Sequence, residues 1–217
     1  MSRSSLRRLF AATAMLVSSA ALTPRAIAAD APAAAAAAPA AAPSADQQKA
    51  MADAWAAAAK PGPEHEWLAK SFAGDWDATA KFVGAGGGGE SHGVMHGKTI
   101  LGGRFVQFDY DGNMDGPDGK PTPFKGMGVG AYDNGKKKFV SYWIDEMSTG
   151  TMLTEGTRDG NVLTMDGQTT EPTSGQPMKV REVVTVIDDS HHKYELYMTG
   201  PDGTLGKVME IMYTKKG

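Results

Sequence analysis

The sequence predicts a mainly-β protein: a single antiparallel up-and-down β-barrel of about ten strands, preceded by one or two short α-helices. Three observations carry this expectation. The stretch from Gly74 to Phe82, GDWDATAKF, alternates, with Trp76, Ala78, Ala80 and Phe82 on one face and Asp75, Asp77, Thr79 and Lys81 on the other. Period two marks a half-buried strand. The alternation recurs to the C-terminus and is broken by turn chemistry at Asp133-Asn134-Gly135, Asp159-Gly160-Asn161, Asp188-Asp189-Ser190 and Pro201-Asp202-Gly203. No helix-length pattern follows Lys70. A barrel is favoured over a sandwich because nearly all connections read as hairpins.

The N-terminal residues stand apart from that pattern. Arg3, Arg7 and Arg8 make a basic start, Leu9 to Leu22 is an apolar run, and Ala26-Ile27-Ala28 is a small-x-small cleavage site. Together they read as a secretory signal peptide over residues 1–28. Arg7-Arg8-Leu9-Phe10 also resembles the core of a twin-arginine signal, with Leu6 in the usual Ser/Thr place, so the export route stays open. Loss of Arg3, Arg7, Arg8 and Arg25 takes the formal charge from -3 to -7. The expected mature protein is acidic and periplasmic or secreted, with no transmembrane segment after cleavage. The acidic balance argues against a nucleic-acid partner, because phosphate neutralisation needs a basic surface. With Cys at 0, disulfides, zinc thiolate sites and cysteine nucleophiles are excluded together.

Residues 29–43 are almost only Ala and Pro and read as a linker. Ser44 to Gln47 is a capping box before strong helix formers, which predicts a helix from about Ala45 to Ala59. Met51 and Trp55, four apart, offer that helix an anchor for docking. Pro61-Gly62-Pro63 ends it, and Glu64 to Lys70 makes a second short helix. The two helices occupy 44–70 and the barrel 71–217. After Gly84 to Gly89, a loop, strands are expected at His92–Ile100, Arg104–Asp111, Phe124–Tyr132, Lys138–Asp145, Thr151–Gly156, Val162–Thr169, Met178–Ile187, His192–Thr199 and Leu205–Lys215.

Several spaced motifs sit on this frame: Pro61-Gly62-Pro63-x-His65-x-x-Leu68, Gly74-x-Trp76, Leu101-Gly102-Gly103-Arg104, Gly126-x-Gly128, Tyr132-Asp133, Trp143-x-Asp145 and Glu210-Ile211-x-Tyr213. From about Trp55 to the C-terminus they resemble a bacterial family known as domain of unknown function number 1579. The resemblance implies a secreted or periplasmic, lipocalin-like β-barrel and brings no activity with it. Gly74-x-Trp76 after a short helix also resembles the opening motif of lipocalins.

Other motifs conflict with their surroundings. Gly89-Glu90-Ser91-His92-Gly93 fits G-x-S-x-G, but a nucleophile elbow needs a strand before the serine and a helix after it. Here a glycine loop precedes and a strand pattern follows. Asp111-x-Asn113-x-Asp115-Gly116 matches half of a calcium loop, yet position twelve is Thr122, not Glu. His92 and His96 share a strand face about 13 Å apart, too far for one ion. His191-His192 falls at a turn and is expected to be exposed, and His65 is expected to cap or pack. Methionine, 13 in the chain, fills irregular spaces and adaptable surfaces alike.

The most informative faces are Phe139, Ser141, Trp143, Asp145 on one strand and Arg104, Val106, Phe108, Tyr110 on another. If both point inward, aromatics surround one acid and one base, which is the composition of a small-molecule pocket. The candidate lining is Trp76, Arg104, Phe108, Tyr132, Trp143 and Asp145. The plain alternative is an Arg104–Asp145 rim salt bridge over an aromatic core. The leading functional expectation is periplasmic binding or sequestration of a small apolar or amphipathic ligand. Two alternatives stay open: an isomerase or hydrolase using Asp145 or His96 in the cavity, and an envelope interaction module with a filled core. No catalytic residue, cofactor or metal ligand is assigned, and the oligomeric state is open.

Overall fold

In the computed structural model, residues 42–83, 89–115, 120–200 and 202–217 are described. The expected signal peptide and nearly all of the linker lie outside them. Two helices come first, α1 (Ala45–Ala58) and α2 (Pro63–Phe72). Ten strands follow: β1 (Gly74–Phe82), β2 (Glu90–Ile100), β3 (Phe105–Asp115), β4 (Pro121–Asp133), β5 (Lys138–Asp145), β6 (Met152–Asp159), β7 (Val162–Thr170), β8 (Pro177–Asp188), β9 (His191–Thr199) and β10 (Leu205–Lys215). Each strand pairs antiparallel with its neighbours in sequence, and β1 closes onto β10. Closure leaves no sheet edge, so every strand has two partners along most of its length.

The up-and-down order sorts the connections into two ends. At one end lie α2 and the turns at 101–104, 134–137, 160–161 and 189–190. At the other lie the remaining ends of the strands, with the connections at 146–151 and 171–176. The first end is plugged. Leu68 and Phe72 of α2 pack with Val106, Phe139, Leu163 and Val184 from the strands below. Pro63 starts α2 in its first turn, and the His65 ring accepts a hydrogen bond from the Gly62 amide through Nδ1 at 3.1 Å, so His65 caps and packs as expected. Glu64 and Arg158 form a bidentate pair, with the guanidinium 4.8 Å from the Trp67 ring centre. This ties the plug to β6 by charge and stacking. Gly97 lets the end of α2 come this close, because a Cβ there would collide with the Phe72 carbonyl.

α1 has its predicted capping box, Ser44 with Gln47, but no buried residue. Met51 and Trp55 are 55% and 73% exposed, so the expected docking face does not dock on the barrel. The attachment is polar and terminal instead. Arg104 Nε donates to the Ala59 carbonyl at 2.8 Å, and Asn134 Nδ2 donates to the Ala58 and Lys60 carbonyls. These are carbonyls that a helix end leaves without intrahelical partners.

β5 and β10 have their predicted bounds, and most others differ by a few residues at an end. The largest difference is the β3–β4 hairpin. The polar run Asp111 to Asp115, read as half a calcium loop, is strand. Cross-strand pairing favours it: Asp111 meets Lys125 at 2.7 Å. Pro121 and Pro123 are tolerated in β4 because pairing with β5 begins only at Gly126.

Candidate functional site

The inward faces follow from strand alternation, and between the plug and the far end they enclose a cavity of about 340 Å³. Its wall is mostly apolar and aromatic. Phe108, Tyr110, Trp143, Tyr194 and Tyr213 line it, and the residues toward the unplugged end include Met114, Met147, Met152, Met198 and Met209. The mouth is therefore rimmed with flexible thioether chains, which adapt to irregular shapes. β4 makes room for the aromatics. Gly126, Gly128 and Gly130 repeat on its inner face, and a Cβ on the first two would strike the Trp143 ring and on the third would crowd Phe108. The two rings lie flat in a groove of bare backbone.

Of the six candidate lining residues, Phe108, Trp143 and Asp145 stand on the cavity wall. Trp143 Nε1 donates to Asp145 Oδ2 at 2.8 Å, and Asp145 Oδ1 accepts from the Met147 amide, so the carboxylate organises the rim of β5. The other three are elsewhere. Trp76 is inward and 1% exposed, but it lies at the plugged end, where its Nε1 donates to the Phe72 carbonyl. Tyr132 packs edge-on against His65 and Phe139 beneath α2. Arg104 is not in a strand at all; it lies in the turn after β2 and holds the Ala59 and Leu101 carbonyls. Asp145 and Arg104 thus mark opposite ends of the barrel, and no rim salt bridge joins them. His96, offered as a cavity residue, points out and pairs with Asp75 at 2.7 Å, with its side chain 55% exposed.

Three further polar groups face the interior that the sequence analysis did not place there. Glu182 on β8 is 3% exposed. Its Oε2 accepts from Thr154 Oγ1 at 2.7 Å and its Oε1 from the Tyr194 hydroxyl at 3.1 Å. Burial pushes its pKa above the ordinary carboxyl value, although both hydroxyl bonds pull the other way. Ser91 is buried and hydrogen-bonds the Tyr110 hydroxyl. It sits within β2, flanked by strand on the helix-expected side, so the G-x-S-x-G run is not an elbow. His192, expected at an exposed turn, is 2% exposed. It stacks on Tyr213 at 4.5 Å and meets Trp76 edge-on at 4.4 Å. Among the described residues its Nδ1 has no hydrogen-bond partner, and burial brings its pKa down to about 3. Among the described residues, no group of three or more His, Cys, Asp or Glu side chains is placed to hold a metal ion.

A signal for Glu182 existed. Val180, Glu182, Val184 and Val186 share one face of β8, and an acid inside a run of valines is the irregularity to notice. Nothing local marked His192, whose burial comes from α2 and the β1–β10 closure.

Comparison with known proteins places this geometry. Residues 60–215 match a family model described as "Protein of unknown function (DUF1579)". No curated protein matches the sequence. Among solved structures, the crystal structure of Rv2717c from M. tuberculosis is similar, with a TM-score of 0.52 and 13% identity, over 73% of this chain and 100% of that one. At that identity the likeness shows the barrel fold and nothing of its use. The matched span runs from Lys60, three residues before α2, to Lys215, the last residue of β10, so it takes in plug and barrel together, and the chain belongs to the DUF1579 family.

Proposed function

We propose that the barrel binds a small apolar or amphipathic molecule, in the periplasm or outside the cell once residues 1–28 are removed. The observation that carries the reading is the cavity itself: about 340 Å³ of apolar and aromatic lining around a few polar groups. Ligand sites of about 300–1,000 Å³ have this composition. A filled core, the expectation for a purely structural module, is harder to reconcile with that volume, since packed interiors leave few voids larger than a water. The localisation rests on the basic start, apolar run and Ala26-Ile27-Ala28 alone. Among the described residues, no helix is long and apolar enough to cross a membrane.

Trp143 provides the readout. The neutral dye N-phenylnaphthylamine should bind the purified protein, quench tryptophan emission and brighten. Trp143→Phe should remove most of the quenching while leaving dye brightening in place, because the smaller ring still fits over Gly126 and Gly128. Native mass spectrometry of protein taken from its own periplasm should show a retained small molecule. No dye binding together with a bare mass would end the binding reading.

A further inference from the structure

We propose that the cavity selects ligands carrying a cationic amine on an apolar body, with Glu182 as the counter-ion inside the barrel. The inference deepens the binding reading and rests on it.

The charge pattern of the wall is one-sided. Among the described residues it holds two carboxyls, Asp145 at the mouth and Glu182 within, and no lysine or arginine. Its histidine, His192, is buried among Phe72, Trp76 and Tyr213 and stays neutral, so it supplies no positive charge either. A fatty acid or other anion would meet two carboxyls, no cation and a low-dielectric wall. A buried carboxylate without a counter-ion is costly, so a ligand that brings one is favoured.

The groups around Glu182 fit that role. Thr154 from β6 and Tyr194 from β9 both reach its oxygens with hydroxyls. Met165 from β7 and Leu196 from β9 flank it in register. Tyr213 from β10 is close enough to feel its charge, and burial raises both tyrosines above the ordinary value, so they stay neutral. The two hydroxyls can donate to an ionised carboxylate, which leaves room for one more donor, and an ammonium carries several. Tyr194, Tyr213, Tyr110, Phe108 and Trp143 present ring faces or edges to the same space, and aromatic faces attract cations. In the empty barrel burial favours the neutral acid. Amine entry as ammonium therefore releases that proton to solvent, and entry as free amine takes it up on nitrogen. Either way the bound pair is carboxylate and ammonium.

Competition against N-phenylnaphthylamine tests this with decylamine, decanol and decanoate, which differ only in the head group. Decylamine is expected to displace the dye at a concentration at least about tenfold below decanol, the scale of one charge-assisted hydrogen bond, with decanoate weakest. The amine advantage should grow as pH rises above the ordinary carboxyl range and Glu182 ionises more readily, while decanol stays flat. Glu182→Gln should bring decylamine to the level of decanol, while the dye and decanol constants shift far less than the decylamine constant. Decanoate binding as tightly as decylamine, or an amine preference that survives Glu182→Gln, overturns the inference. If dye and decanol bind and decylamine is no better, only the charge selection falls. If none of the four binds, the cavity reading falls and takes the inference with it.

Discussion

Trp76→Ala is expected to cost roughly 3–5 kcal/mol, the range for truncating a buried aromatic. In a domain of this size that lowers the melting temperature by roughly 6–20 °C. The side chain is 1% exposed at the point where α2 hands over to β1. It carries three contacts at once: its Nε1 hydrogen bond to the Phe72 carbonyl at 3.1 Å, the edge-on packing with His192, and the Lys215 ammonium 5.2 Å from its ring centre. Those contacts join the plug, β9 and β10, so the loss falls on barrel closure as well as on packing. Trp76→Phe keeps a ring in the same space and removes the indole donor. It should lose about 1 kcal/mol for the hydrogen bond plus a smaller packing term. Thermal denaturation of both variants checks this. An alanine variant that melts with the parent would show that Trp76 holds nothing together.

Acidification should weaken the fold through His192 before most carboxylates begin to titrate. In the unfolded chain this imidazole takes up a proton below about pH 6.5. In the folded protein burial keeps it neutral down to about 3. Between those limits the unfolded state holds more protons, so stability is full above about pH 6.5 and falls as pH drops toward 3. The slope is about 1.4 kcal/mol per pH unit, and the whole window amounts to a loss on the order of 5 kcal/mol. Glu182 has the opposite sign. Its folded pKa is raised, so it contributes stability below the ordinary value of 4.5 that is lost as pH climbs through the raised one. Denaturant unfolding at a series of pH values separates the two. His192→Phe, which can still stack on Tyr213, should flatten the limb between about pH 6.5 and about pH 5, where carboxylates contribute little. Glu182→Gln should flatten the limb on the neutral side. An unchanged acid slope in His192→Phe would mean that this ring is not the proton-linked group.

Much of the fold was legible locally. Period-two alternation and turn residues located all ten strands, because each signal involves only adjacent residues along one chain segment. The capping box at Ser44 and the glycine after α2 worked the same way. Errors gathered where a side chain's partner lies far away in sequence. Arg104 shares alternation with Val106 and Phe108, yet it sits one residue before β3 and turns to the α1 carbonyl forty-five positions back. Met51 and Trp55 have helical spacing, but an alanine helix held by its end buries neither of them.

By itself the sequence determined the strand count and the inward faces of β1, β3 and β5, and thereby Phe108, Trp143 and Asp145 as wall residues. Alternation decides a side and says nothing about height along the barrel axis. Only the tertiary structure decided which end α2 plugs, which assigned Trp76 and Tyr132 to the plug and left the cavity beyond them. It also brought Thr154, Glu182 and Tyr194 together from three strands, and buried His192 under an aromatic cover. Those placements depend on cross-strand register and barrel closure, which couple residues with no local signal between them.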